Sequence, residues 1–189
     1  MKNKIAEIIS TIGHPMVTFP IFIGIVLFNV ESFSKALFLF SLIVLGIFIP
    51  LLVKMYRGTK SGKYTNFDIS DQNQRKSFFP TMLILFGVVL AILFLTKQPT
   101  YLLTPMLWAF LLLLSCYIIN FYEKVSLHTS LTVFLGFLAL PINLYVGIAF
   151  LLFSLLMAWS RFTLGRHTKK EIILGILVGT SIGLLSLYF

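Results

Sequence analysis

Apolar residues arrive in runs separated by short polar breaks. The runs fall near 12–30, 36–55, 78–95, 102–121, 127–141, 144–160 and 172–188. Crossing the hydrocarbon layer takes about 20 apolar residues in a helix, and most of these runs approach that length. The run at 127–141 is shorter and stops at Pro141-Ile142-Asn143, a turn signal. The pattern predicts an all-α, polytopic transmembrane helical bundle of about seven spans. Six is the alternative, with the segment around Pro141 kinked or re-entrant. Pro15, Pro20 and Pro50 lie inside or at the edge of the first two runs and predict kinks there. The breaks at 31–35, 97–100 and 122–128 are turns. Only 56–77 is a long hydrophilic segment: Gly58 and Gly62 predict a loop at its start, and the acid-first, base-last order from Asp68 to Lys76 suits a short helix.

Composition agrees with a lipid-facing surface. The chain is 58% hydrophobic and 11% charged, with a mean hydropathy of +0.98, against about 25% charged residues in a soluble domain. A single integral-membrane domain, 1–189, with a hydrophilic loop at about 56–77, is the expected organisation. Its first apolar run has no convincing cleavage site after it and is read as a retained anchor. The lone Cys116 lies in an apolar run and has no intrachain partner for a disulfide. The bilayer is the expected partner, and no nucleic acid.

Charge adds an orientation. With seven spans, the N-terminus and the segments 56–77, 122–128 and 161–171 share one side. That side holds thirteen of the fifteen Lys and Arg residues; Lys35 and Lys97 are on the other. The positive-inside rule places the crowded side in the cytoplasm, which fits an integral protein of a bacterial inner membrane.

The polar breaks also carry the chemistry. Ser160 to Glu171 holds Arg161, His167 and Glu171 between two apolar runs. If a helix starts near His167, Glu171 lies one turn along on the same face. Its carboxylate can then hold one imidazole nitrogen as N–H and leave the other to attack phosphorus. His128 is the candidate general acid for the departing alkoxide. Ser126 is placed to cap the helix of the fifth run, where an anion would meet backbone N–H groups. Arg161 and Arg75 are candidate phosphate clamps, since a guanidinium binds two oxygens at once. Lys76 and Lys124 are further candidate phosphate ligands. Arg166, Lys169 and Lys170 read as interfacial positive charge facing anionic lipid, and His14 as an interfacial histidine. Asp68 and Asp71 form Asp-x-x-Asp, but the crowded side has too few carboxylates for two metal clusters, so no metal or other cofactor is expected.

Ser160-Arg161, five residues, His167, three residues, Glu171 resembles the third signature of the type 2 phosphatidic acid phosphatase family, Ser-Arg-x5-His-x3-Asp, with Glu for Asp. Val125-Ser126-Leu127-His128 echoes the second, Pro-Ser-Gly-His. The first, Lys-x6-Arg-Pro, is matched only at Arg75: Asp68 stands at the lysine position and Lys76 at the proline position, with a proline following at Pro80. The resemblance implies a metal-independent phosphatase acting on a lipid phosphate, a glycerolipid or isoprenyl monoester or diphosphate, through a phosphohistidine on His167. It also permits an outward-facing site, against the charge count. Two alternatives remain at this point: a catalytically degenerate protein that binds lipid phosphates or scaffolds a partner, and a metal-dependent intramembrane transferase built on Asp68 and Asp71.

Overall fold

The computed structural model describes residues 2–188, mostly helical and with no β-strand among them. The elements are α1 (Lys2–Ile12), α2 (Pro15–Val30), α3 (Phe33–Ile43), a π turn (Val44–Phe48), α4 (Ile49–Lys60), α5 (Gln72–Leu95), α6 (Thr100–Ile119), α7 (Leu127–Ala139), α8 (Leu144–Thr163) and α9 (Lys169–Tyr188). Five helices are long and apolar enough to cross a membrane: the continuous 28-residue rod Phe33–Lys60, then α5, α6, α8 and α9. A sixth is added if α1 and α2, bent by 47° at the Gly13-His14 break, count as one span. Large apolar side chains such as Leu45, Ile84 and Phe94 are exposed on these rods, as a lipid-facing surface requires.

The fifth apolar run becomes α7, of 13 residues. At 1.5 Å per residue it reaches about 20 Å, short of the ~30 Å hydrocarbon layer. The kink expected at Pro50 takes the form of the π turn just before it: proline has no N–H to give, and the helix absorbs the missing bond by widening one turn. The expected short helix in 56–77 is the first part of α5, continuous with the third run; Asp71 caps it by accepting from Gln74 N at 2.9 Å.

The chain divides into two compact units. One takes in the chain up to Thr18 together with everything from Thr100 onward; the other is Phe19–Pro99. In the second unit, Phe19 lies against Phe48 and Phe86. A Cβ on Gly46 would come within 2.7 Å of Val89, so α5 approaches the π turn closely.

The first unit is built around α7. Ten of its thirteen residues are buried, which is why it can be short: it is wrapped by α8 and α9 rather than by lipid. Three glycines four apart on α9 let the two backbones meet. A Cβ on Gly175, Gly179 or Gly183 would lie 2.7 Å from the Ser126 carbonyl oxygen, 2.5 Å from that of Ser130, and 2.6 Å from the Phe137 ring. The order of these contacts shows α7 and α9 running in the same direction. The pairs Gly136–Leu151 and Leu140–Gly147 show α8 running against them. α1 lies along α8, where Ser160 Oγ donates to the Ala6 carbonyl at 2.6 Å.

Candidate active site

Membrane helices bury polar groups at a cost, so a buried polar cluster marks a place of interest. In the first unit the cluster comprises Ser10, His14, Ser126, His128, Thr129, Ser130, Thr132, Ser160, Arg161 and His167, all buried. It sits where α7 and α9 begin and α8 ends.

The 160–171 stretch folds into a closed loop between α8 and α9. The Arg161 carbonyl accepts from the N–H of Arg166 at 3.0 Å and of His167 at 3.3 Å. Gly165 turns the chain at φ +63°, a conformation that glycine takes without strain. The five-residue spacing between Arg161 and His167 is therefore the length of this turn. Thr168 and Glu171 then form a capping box at the start of α9: Glu171 N donates to Thr168 Oγ1 (3.3 Å) and Thr168 N donates to Glu171 Oε2 (3.2 Å).

The same Glu171 oxygen meets His167 Nδ1 at 2.8 Å and Lys124 Nζ at 3.2 Å. The His167 side chain has no solvent exposure. Lys124 also donates to the Arg166 carbonyl at 3.2 Å, and Ser126 N donates to the Glu171 carbonyl at 3.1 Å. These bonds fasten the 120–126 segment to the start of α9. Lys170 and Glu123 form a further ion pair between the same two segments.

His128 and Arg161 join the cluster from its other side. The His128 ring meets the His14 ring edge-on, centroids 4.9 Å apart. His14 Nδ1 in turn accepts from Met16 N at 3.1 Å. His14 is therefore a buried member of the cluster. Arg161, completely buried, donates from NH1 to Ser10 Oγ at 2.7 Å, near the end of α1 and four residues before His14. Glu171 thus meets the His167 ring and, through its carbonyl, Ser126 N; His167 N meets the Arg161 carbonyl; Arg161 meets Ser10; and His14 meets His128. Ser10 and His14 carry no signature in the sequence.

Two sequence-predicted roles change. Ser126 occupies the N-cap position of α7 but caps no backbone N–H; its hydroxyl pairs with Thr129 Oγ1 at 2.9 Å. A helix N-terminus lacking a side-chain cap keeps its positive end for an anion. Asp71, a candidate metal ligand, is engaged as the N-cap of α5. Arg75 and Lys76 belong to the other unit, at the start of α5. Arg75 is buried and donates from Nε to the Ile69 carbonyl at 2.8 Å, and Lys76 is exposed. The chain matches no protein-family model, no curated protein and no solved structure.

Proposed function

We propose that this protein is a membrane enzyme that removes phosphate from a lipid phosphate through a phosphohistidine, with its site at the start of α7 and α9. The observation that carries the reading is the 2.8 Å contact between His167 Nδ1 and the Glu171 carboxylate. A carboxylate on Nδ1 fixes that nitrogen as the N–H and presents Nε2 as the nucleophile. His167 Nε2 attacks phosphorus, the bond to the lipid oxygen breaks, and His128 gives that oxygen a proton. Water then releases inorganic phosphate from the histidine. Arg161 and the uncapped N-terminus of α7 supply positive charge for the phosphoryl oxygens. Lys124, partly exposed between Glu171 and the Arg166 carbonyl, stands at the rim and moves to the headgroup when the lipid enters. Glycerolipid and isoprenyl phosphates share the required anion and tail. The bundle crosses a bacterial inner membrane with seven spans, α7 being the short one, and the site faces the cytoplasm.

The test is phosphate release from a panel of lipid phosphates in EDTA by the full-length protein, together with trapping of an acid-labile phosphoenzyme. His167→Ala is expected to abolish both. Turnover of that variant within tenfold of wild type would remove His167 from the mechanism.

A second reading is favoured by the capping box. It gives Glu171 a structural role without catalysis, and the Arg161–Ser10 bond does the same for Arg161. On that reading the chain binds lipid phosphates or scaffolds a partner and releases no phosphate from any member of the panel.

A further inference from the structure

The second unit holds a groove of about 560 Å³ along α4. Pro50, Val53, Lys54 and Arg57 all line it. They stand at i, i+3, i+4 and i+7, one stripe of the helix. The stripe is apolar on its first turn and cationic on its second, a rise of about 10 Å from Pro50 to Arg57. Lys63 and Tyr64 complete it from the loop that follows α4. That loop folds back because Gly58 leaves room: a Cβ there would lie 2.2 Å from the Tyr64 ring, and Tyr64 N donates to the Gly58 carbonyl at 3.0 Å. Lys63 Nζ stands 5.9 Å from the centre of the Tyr64 ring. Lys54 is tethered to Thr81 on α5, which fixes its ammonium in the wall. Three cations thus line the groove and no acidic residue does.

We infer that this groove binds an anionic phospholipid: its phosphodiester against Lys54, Arg57 and Lys63, its acyl chain along Pro50 and Val53. Three like charges gathered in one wall repel one another until an anion neutralises them. The apolar first turn, with Val53 exposed, selects an anion that brings a hydrocarbon tail. The groove shares no residue with the His167 site, and the inference does not rest on the phosphatase reading.

The experiment uses the full chain in a neutral detergent. Lipid retention by native mass spectrometry and the thermal-unfolding midpoint are measured with phosphatidylglycerol, with phosphatidylcholine of the same chains, and with inorganic phosphate. Phosphatidylglycerol, a phosphodiester, is expected to be retained and to raise the midpoint; the other two are not. Arg57→Gln/Lys63→Gln is expected to weaken phosphatidylglycerol binding about tenfold or more. Lys2→Gln/Lys4→Gln, which removes the same charge outside the groove, leaves it within about twofold. The charge-conserving Arg57→Lys/Lys63→Arg pair keeps binding, and its midpoint checks the fold. Equal losses in the two Gln pairs would mean a general charge effect and overturn the site. Loss of binding in the charge-conserving pair would overturn it as well. Inorganic phosphate reproducing the full shift would overturn the lipid as occupant.

Discussion

Glu171 holds three groups with one carboxylate oxygen: the Thr168 amide, the His167 ring and the Lys124 ammonium. Only the first of these tolerates loss of charge, because a glutamine completes a capping box as well as a glutamate. Glu171→Gln therefore separates the structural role from the chemical one. The amide oxygen still accepts from Thr168 N, and the thermal midpoint is expected to stay near wild type. On the proposed phosphatase reading the imidazole loses the charge that stabilises it during attack on phosphorus, and phosphate release is expected to fall on the order of 10²-fold. A variant equally active and equally stable would show that the His–Glu contact has no catalytic consequence. A fall in stability that accounts for the whole fall in activity would place Glu171 with the cap alone. The His167–Glu171 pair is legible in the sequence because helical spacing forces residues four apart together. His14 beside His128 is not: 114 residues separate them, and only the packing of the unit brings their rings edge to edge.

At the scale of elements, the apolar runs place most helices to within a few residues, because run length and span length answer to the same bilayer thickness. The exceptions have local causes. α1 was hidden because its polar residues mask an alternate face, Ala6 and Ser10, that packs on α8. α7 is short because its neighbours, and not lipid, cover it. The stripe Gly175, Gly179, Gly183 was visible in the sequence as glycines four apart, but which helix it admits is a matter of packing. That stripe sets the height of Glu171 against Ser126, so it should govern both stability and activity. Gly179→Ala puts a methyl group 2.5 Å from a backbone carbonyl oxygen that cannot rotate away. Overpacking of this kind costs about 1–3 kcal/mol, read as a lowered thermal midpoint with a matching loss of phosphate release. Ser181→Ala, exposed on the same helix, serves as the control and is expected to change neither. A Gly179→Ala protein with an unchanged midpoint would mean that α7 and α9 do not meet this closely.

The molecule as a whole poses the question of sidedness. Thirteen of fifteen cations fall on one side only if α7 counts as a crossing. Its 13 residues argue against it by length; its direction argues for it. Because α7 runs with α9 and against α8, the chain reverses at 140–143 and again at 164–168, as two crossings require. A short helix wrapped by protein does not have to match the hydrocarbon thickness, because its ends meet other helices and not lipid. The loop after α4 holds Lys63, with Arg57 and Lys60 in the last turn of that helix. Segments so rich in lysine and arginine stay on the side where they are made. Single cysteines at Ser61→Cys and Lys169→Cys, both exposed positions, in a Cys116→Ala background, decide the matter. Cys116 is buried and touches Ser130 Oγ at 3.6 Å; Ser130 Oγ keeps its bond to the Leu127 carbonyl when the thiol is gone. In intact cells an impermeant thiol reagent is expected to label neither position, and after permeabilisation both. Labelling of both in intact cells would put the His167 site outside and set the charge count aside. Labelling of one alone would mean that an odd number of crossings separates residues 61 and 169, and α7, the one short helix among them, would then be a re-entrant element that returns to its own side.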